Sequence, residues 1–129
     1  MPSRAMFRQP WASFCWMHDP EIEVTPEHTE AAVADGSAQV VDVREPYERE
    51  AGYIAGSRHI ELQDLPSQAE SLDRERPVIF QCRSGSRSLM AAQAFRRAGF
   101  DAWSMAGGLE QWVQEGREIE PADGQVAPH

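Results

Sequence analysis

The fold of this chain is decided by the stretch Pro77-Val78-Ile79-Phe80-Gln81-Cys82-Arg83-Ser84-Gly85-Ser86-Arg87-Ser88. Residues 77–82 form a short, mostly apolar run, which is typical of a strand that is buried on both faces of a sheet. A turn rich in serine and glycine follows, and the next segment predicts a helix that ends near Ala98, because Gly99 can stop it. A buried strand that leads through a tight turn into a helix is the building unit of parallel α/β sheets.

The same alternation of strands and helices extends to both sides of this stretch. The elements predicted upstream are strands at residues 21–24, 39–43 and 59–62 and helices at residues 26–35, 46–52 and 65–72. Downstream, a strand is predicted at residues 101–105, followed by a helix from Gly108 with Leu109, Trp112 and Val113 on one buried stripe. The sequence therefore predicts one α/β domain with a mostly parallel central sheet and helices on both faces.

The composition limits the classes to which the protein can belong. The length of 129 residues fits one domain, and 41% hydrophobic with 26% charged residues is a globular composition. No apolar run approaches the about 20 residues that a membrane span requires. The net charge of −9 argues against nucleic-acid binding, which needs a basic surface. We therefore expect no nucleic acid and no membrane among the partners.

The two ends of the chain differ in composition from its middle. Residues 1–18 contain Arg4 and Arg8, no acidic residue and an aromatic cluster, and we interpret them as an N-terminal extension that is disordered or weakly docked. Two alternatives are a secretory signal peptide, which the short apolar run disfavours, and a true start at Met17. Residues 19–120 are expected to form the domain and residues 121–129 a disordered tail.

The cysteines indicate a reducing environment. Cys15 and Cys82 are too few for a disulfide framework, and thiols stay free in the cytoplasm, where we expect this protein. Cys15 and His18 have the spacing of a zinc ligand pair, but no second pair follows, so no metal site is predicted. Cys15 as a resolving thiol for Cys82 is an alternative.

Seven residues form the candidate site, and they are Cys82, Arg83, Ser84, Gly85, Ser86, Arg87 and Ser88. The N–H groups of a curled loop and of a helix N-terminus lack internal partners and attract negative charge. Gly85 permits the curl, the arginines add positive charge, and the serines add hydroxyl donors. These surroundings favour a thiolate, so Cys82 is the candidate nucleophile, and we expect its thiol to be open to solvent. A buried structural cysteine is the alternative.

The length of this loop separates two classes of cysteine enzyme. Four residues, 83–86, lie between Cys82 and Arg87, which is fewer than in the cysteine-arginine loop of protein phosphatases. A smaller loop suits a single sulfur atom better than a tetrahedral phosphoryl group. We therefore expect attack on an anionic sulfur donor, and a cysteine phosphatase or arsenate reductase is the alternative.

Four motifs, in order along the chain, resemble those of single-domain rhodaneses. They are Asp42-Val43-Arg44-Glu45-Pro46-Tyr47-Glu48, residues 52–60, residues 82–88, and Gly107-Gly108-Leu109 with Gln111-Trp112. The resemblance covers about residues 21–118. It implies a sheet of five mostly parallel strands with helices on both faces.

The resemblance also implies a sulfurtransferase that works in two steps and needs no cofactor. The Cys82 thiolate would take the outer sulfur of thiosulfate or another sulfane donor, form a persulfide and release sulfite. The persulfide would pass its sulfur to cyanide, to a thiol such as thioredoxin or glutathione, or to a sulfur-carrier protein. Backbone N–H groups of residues 83–87 would stabilise the persulfide, and Arg83 and Arg87 would orient the donor. The alternative is a non-catalytic persulfide carrier or sensory module that acts with a partner protein.

Asp42 and Arg44, at the end of a predicted strand, are expected to support the site rather than to react. Their side chains are predicted to hydrogen-bond the backbone of the following loop. Arg44 is also predicted to form an ion pair with a nearby acid such as Glu45 or Glu48. These two residues complete the set of candidate site residues.

Overall fold

Five strands form one sheet in the computed structural model, which describes residues 19–128. The strands are β1 (Glu23–Val24), β2 (Gln39–Asp42), β3 (Arg58–His59), β4 (Val78–Gln81) and β5 (Ala102–Met105). Their order across the sheet is β1-β5-β4-β2-β3, and all neighbouring strands run parallel. The predicted α/β fold with five parallel strands is confirmed. The predictions for residues 1–18, including Cys15 and His18, lie outside the described residues.

Within residues 19–128, four α-helices lie between successive strands and a fifth follows the last strand. They are α1 (Pro26–Asp35), α2 (Pro46–Ala51), α3 (Leu65–Gln68), α4 (Ser86–Arg97) and α5 (Gly108–Gln114). Helix α1 begins and ends as predicted: Thr25 Oγ1 accepts a hydrogen bond from the backbone N–H of His28 at 3.0 Å, and Gly36 ends the helix with a φ of 73°. Within residues 19–128, no helix has the length and apolar character to cross a membrane.

The segment between β3 and β4 is less regular than predicted. The sequence predicts a strand at residues 59–62, but β3 contains only Arg58–His59. The predicted helix at residues 65–72 is shortened to α3, with 3₁₀ turns at Leu62–Asp64 and Ala69–Ser71. Within residues 65–72, only Leu65 and Leu72 are buried, so few apolar contacts hold a longer helix against the sheet.

Two apolar cores pack on the two faces of the sheet, as alternation along each strand requires. On one face, Val78 and Phe80 of β4 pack with Leu65 of α3 and with α4 residues such as Leu89 and Phe95. On the other face, the core is formed by β-strand residues together with residues of α1 and α5: Ala32, Val40, Ile79, Met105, Leu109 and Trp112. The predicted stripe of α5 is correct at Leu109 and Trp112, but Val113 is exposed, because it lies on the outer side of this short helix.

The C-terminal segment differs from the predicted disordered tail. The backbone N–H of Gln125 donates to the Ala51 carbonyl at 2.7 Å, and the Tyr47 hydroxyl donates to the Pro128 carbonyl at 3.1 Å. Val126 also packs against the core on the α1 and α5 face. These contacts join residues far apart in the chain, so the local composition of the tail does not reveal them.

Candidate active site

Cys82 directly follows β4, at the carboxyl end of the sheet. Its Sγ accepts hydrogen bonds from the backbone N–H groups of Gly85 at 3.1 Å and Ser88 at 3.4 Å. The thiol also donates to the Ser88 hydroxyl oxygen at 3.6 Å. The loop therefore curls around the sulfur, with two backbone dipoles directed at it. Gly85 belongs to the predicted set of donors at residues 83–87, whereas Ser88 lies one residue beyond that set.

Gly85 makes this curl possible. It is the N-cap of α4 and has a φ of 108°, a left-handed conformation that L side chains rarely adopt. A Cβ at this position would also lie 3.4 Å from the backbone nitrogen of Gly107. A side chain at residue 85 would therefore strain the loop through its backbone conformation, although the Cβ itself would only reach ordinary van der Waals contact with the segment after β5.

The start of α5 holds the loop from the other side, which the sequence of the cysteine loop alone does not foresee. The backbone N–H groups of Leu109 and Glu110 donate to the carbonyls of Cys82 at 2.8 Å and Arg83 at 3.0 Å. Gly108 allows this approach, because a Cβ there would lie 2.5 Å from the Arg83 carbonyl oxygen. The signal in the sequence is the Gly107-Gly108 pair, whose small size permits close contact between two backbones.

The thiol of Cys82 is not open to solvent, so that expectation is wrong for this structure. The residue has 0% exposure and belongs to the core on the α4 face. The physical reason is that the same curl that directs N–H groups at the sulfur also covers it. A substrate can reach the sulfur only after the loop, or a segment beside it, has moved.

Neither arginine of the loop donates to the sulfur. Arg87 makes two hydrogen bonds to Glu48, at 2.9 and 3.0 Å, and Arg83 forms an ion pair with Glu110 at 3.1 Å. The positive charges expected from the sequence are therefore present at the loop, but each is paired with a carboxylate. The fold brings carboxylates of α2 and α5 to the loop, and these partners are distant in sequence.

The pair formed by Arg87 and Glu48 is electrostatically strong. Burial raises the pKa of the Glu48 carboxyl, but hydrogen bonds from Arg87 and from the Glu45 backbone outweigh it, so the pKa lies below its ordinary value. The hydrogen bonds to Glu48 raise the pKa of the Arg87 guanidinium, against the effect of burial. The thiolate form of Cys82 also favours the charged form of Arg87. Arg87 is thus a permanent positive charge near the sulfur.

The three serines of the loop occupy different surroundings. Ser84 and Ser86 are exposed, whereas Ser88 is fully buried beside the sulfur. The Ser88 hydroxyl lies 3.1 Å from the Gly85 carbonyl oxygen and 2.8 Å from the hydroxyl of Ser104 on β5. Of the predicted hydroxyl donors, the structure therefore brings Ser88 to the sulfur and leaves the other two on the outer side.

Asp42 and Arg44 form the fully buried support next to the loop. Arg44 makes two hydrogen bonds to the Asp42 carboxylate, at 2.8 and 2.7 Å. Its guanidinium also donates to the backbone carbonyls of Glu48 at 3.3 Å and Gly52 at 2.7 Å. The expected bonds to the backbone are present, and so is an ion pair of Arg44 with a nearby acid, which is Asp42. The Asp42 carboxylate accepts from Nε and one terminal nitrogen of the guanidinium, which is the bidentate geometry that arginine and a carboxylate favour.

The site presents one sulfur atom surrounded by hydrogen-bond donors. Within residues 19–128, no group of three or more histidine, cysteine or acidic side chains is placed to hold a metal ion. The N–H donors are aimed at the position of one sulfur atom, which suits stabilisation of negative charge at that atom. The arrangement can therefore support nucleophilic chemistry of Cys82 once a substrate is admitted.

Comparisons with known proteins agree with this fold and site. The chain matches the family described as Rhodanese-like domain over residues 25–115. It is 36% identical over 108 residues to the thiosulfate sulfurtransferase GlpE of Pseudomonas aeruginosa, an alignment that covers 83% of this chain and 94% of that protein. Among solved structures, a rhodanese-related protein of Thermoplasma volcanium has a TM-score of 0.71 and 26% identity, with 76% of this chain and 96% of that chain covered.

A further solved structure bears on the phosphatase alternative. It comes from Rhodopseudomonas palustris and is described as a protein of unknown function and a possible tyrosine phosphatase. Its TM-score is 0.67 at 26% identity, with 78% of this chain and 86% of that chain covered. The family match over residues 25–115 and the sulfurtransferase relative agree with the order of the motifs and with the cysteine loop. This chain therefore belongs to the rhodanese-like family.

Proposed function

We propose that the protein moves a sulfane sulfur from thiosulfate or a related donor to an acceptor through a persulfide at Cys82. With thiosulfate, the Cys82 thiolate attacks the outer sulfur, the sulfur–sulfur bond of the donor breaks, and sulfite leaves with the bonding electron pair. A thiol or cyanide then takes the outer sulfur of the persulfide, and the Cys82 thiolate is regenerated. A rhodanese-type sulfurtransferase is supported by the family and by the named relatives.

One observation carries the proposal: the N–H groups of Gly85 and Ser88 both point at the Cys82 sulfur, at 3.1 and 3.4 Å. These donors are held in place by the loop and by the start of α4, so they need little rearrangement when charge develops on the sulfur. A nearby positive charge on Arg87 adds to the same effect. Such surroundings stabilise a thiolate and a persulfide anion alike.

The complete burial of Cys82 adds a requirement to the proposal. Because the thiol has no exposed surface, sulfur transfer needs an opening motion of the loop or of the segments that cover it. Ser84 and Ser86 form the exposed outer side of the loop, so the rim next to the sulfur is already in contact with solvent. A local opening at this rim admits a donor without unfolding of the domain.

A persulfide carrier or sensory module is the second candidate. It is favoured by the two ion pairs, because Arg83 and Arg87 are both occupied by carboxylates and offer less attraction to a small anionic donor. A module of this kind receives and passes sulfur only in contact with a partner protein. Turnover with small molecules separates it from the enzyme.

The partners and the compartment follow from the same chemistry. We propose a small anionic sulfur donor and a thiol acceptor such as thioredoxin, glutathione or a sulfur-carrier protein, without an organic cofactor or metal. A free thiol that must ionise and react is maintained in a reducing compartment such as the cytoplasm. Cysteine phosphatase activity is the alternative that the experiment below also tests.

The deciding experiment offers thiosulfate, mercaptopyruvate and glutathione persulfide to the protein with cyanide, thioredoxin or glutathione as acceptor. Intact and peptide mass spectrometry should show an adduct of about 32 Da on Cys82, one sulfur atom. The desulfurated donor should be released repeatedly: sulfite from thiosulfate, pyruvate from mercaptopyruvate and glutathione from its persulfide. Cys82→Ser is the control and should lose both. An adduct without turnover would identify the carrier. Hydrolysis of a phosphate ester without sulfur uptake would contradict the proposal.

A further inference from the structure

A second buried hydroxyl lies behind the one that contacts the sulfur. Ser88 Oγ is 3.6 Å from Cys82 Sγ and 2.8 Å from Ser104 Oγ, which belongs to the neighbouring strand β5. All three residues have 0% exposure. Ser104 belongs to none of the four sequence motifs, and nothing in the local sequence of the loop points to it.

The acceptors around the two hydroxyls determine where their protons lie. Among residues 19–128, Ser88 is the hydrogen-bond partner of the Ser104 hydroxyl, and no other is present. A buried hydroxyl proton without an acceptor is unfavourable, so Ser104 donates to Ser88. Ser88 in turn donates to the Gly85 carbonyl oxygen at 3.1 Å or to the sulfur.

The Gly85 carbonyl can lose its hydrogen bond from the Ser88 hydroxyl at little cost in free energy. It also accepts the backbone N–H of Leu89 at 3.0 Å, the first hydrogen bond of α4. This carbonyl therefore stays satisfied when the Ser88 hydroxyl rotates away from it. The hydroxyl of Ser88 is thus a donor with two alternative acceptors, one of which is the reactive atom.

We propose that Ser104 is a positioning residue for sulfur transfer, which directs the proton of the Ser88 hydroxyl to Cys82 when the sulfur is negatively charged. In the thiol state, the S–H of Cys82 donates to Ser88, and Ser88 donates to Gly85. When the thiol has released its proton to solvent, or carries a persulfide anion, the Ser88 O–H rotates toward the sulfur. Ser104 remains the donor to Ser88 in both states, so the Ser88 oxygen still accepts one hydrogen bond after the S–H donor is lost.

The Ser88 hydroxyl has a property that the backbone donors lack. The N–H groups of Gly85 and Ser88 can only donate, so they favour the charged sulfur but cannot accept the S–H of the resting thiol. A hydroxyl accepts from the thiol and donates to the thiolate. Ser104 adds to this by keeping one lone pair of Ser88 occupied, so that the rotation leaves no buried group unpaired. The inference rests on the proposed function.

Three variants test the role of the Ser104 hydroxyl. Ser104→Thr and Ser104→Val have nearly the same shape and differ in the hydroxyl, and Ser104→Ala removes the hydroxyl without crowding the core. Two rates are measured for each at one neutral pH by peptide mass spectrometry of the Cys82 peptide: alkylation by iodoacetamide and sulfur uptake from thiosulfate. The charged groups near the loop, including the pairs of Arg87 with Glu48 and Arg83 with Glu110, are the same in all variants.

Valine and alanine should each slow both rates about tenfold, because the Ser88 hydroxyl loses the donor that directs its proton to the charged sulfur, while threonine stays within about twofold of the wild type. Melting temperatures show whether each variant is folded. If Ser104→Val does not fold, the comparison of Ser104→Ala with the wild type decides the role of the hydroxyl. Equal rates for threonine and valine, or a wild-type rate for alanine, would overturn the role of Ser104. If the wild-type protein takes up no sulfur, the proposed function fails, and alkylation still decides on Ser104.

Discussion

Arg87 and Glu48 are joined by two hydrogen bonds of 2.9 and 3.0 Å, although 39 residues separate them in the chain. The pair connects the first turn of α4, which follows the cysteine loop, to α2, which follows β2. Arg44 continues the connection, since it donates to the Glu48 backbone carbonyl and to the Asp42 carboxylate. A chain of alternating charges therefore links the ends of two neighbouring strands beside Cys82.

This relationship predicts how acid affects stability. Glu48 has a lowered pKa in the folded protein, so it contributes stability above its unfolded pKa of about 4.3. That contribution is lost as the pH falls through the lower, folded pKa. Glu48→Gln should therefore lower the free energy of unfolding by about 2 kcal/mol at neutral pH. The difference from the wild type should shrink below about pH 4, as measured by urea unfolding over a pH series.

Glu110→Gln is the matched control for this measurement. Glu110 pairs with Arg83 at 3.1 Å, but both side chains are more than a third exposed, Glu110 at 40% and Arg83 at 35%. An exposed pair contributes less than about 1 kcal/mol, so this variant should stay near the wild type. If Glu48→Gln lowers the free energy of unfolding by the same amount at about pH 3 and about pH 7, the ionic explanation is contradicted.

Arg87→Ala should reduce the reactivity of Cys82 together with the affinity for an anionic donor. The variant removes the permanent positive charge that interacts with the Cys82 sulfur and leaves the Glu48 carboxylate buried without its partner. We expect alkylation of Cys82 to slow and KM for thiosulfate to rise, each about tenfold. Arg83→Ala, in the same loop but with a half-exposed side chain in a surface pair, should change both less. Equal effects in the two variants would contradict a special role for Arg87.

The sequence predicts the parts of the fold and site that depend on neighbouring residues. Thr25 and Gly36 bound α1 because capping is a local interaction, and the apolar run of β4 identifies a central strand. The N–H groups of Gly85 and Ser88 reach Cys82 for the same reason, since all three lie within one loop. Such features depend on a few consecutive residues and can be derived from their order.

The parts that the sequence does not reveal are contacts between distant segments. Glu48 forms an ion pair with Arg87, and Glu110 forms one with Arg83. Ser104 is hydrogen-bonded to Ser88 only because β5 lies next to β4. The burial of the thiol also depends on packing of the whole loop against the sheet. No periodicity or spacing specifies which of 21 acidic residues meets which arginine.

Gly108→Ala should destabilise the domain and disturb the cysteine loop. A Cβ at Gly108 would lie 2.5 Å from the Arg83 carbonyl oxygen, and the backbone there has a φ of 60°. Gly116→Ala is a matched control, because Gly116 has a φ of 79° and a Cβ added there would meet no atom within 4 Å. Both variants suffer the strain of a left-handed residue, about 1–2 kcal/mol, but only Gly108→Ala adds the clash.

The difference between the two glycine variants isolates the contact between α5 and the loop. Thermal unfolding should show Gly108→Ala to be less stable than Gly116→Ala by about 2 kcal/mol. Sulfur uptake at Cys82 should also fall in Gly108→Ala, because Leu109 and Glu110 can no longer donate to the loop carbonyls at their present distances. Similar stabilities in the two variants would mean that the contact is easily relaxed and does not fix the loop.

Gln81→Met should stabilise the protein without affecting sulfur transfer. Gln81 is fully buried in β4, and its amide nitrogen and oxygen have no hydrogen-bond partner among residues 19–128. Its side chain lies on the opposite face of the sheet from Cys82, since neighbouring strand residues alternate. Methionine has a similar unbranched shape and no polar group to leave unpaired, so the free energy of unfolding should rise by about 1–2 kcal/mol.

Thr29→Val provides the contrast for Gln81→Met. Thr29 is equally buried, but its hydroxyl donates to the Thr25 carbonyl at 3.0 Å, so its removal loses a bond that is actually made. This variant should lower the free energy of unfolding by about 1 kcal/mol. Urea unfolding of both variants decides between two explanations of the Gln81 amide. Stabilisation means that the amide is unpaired in the folded protein, whereas destabilisation would mean that a bound water molecule satisfies it and is lost with the amide.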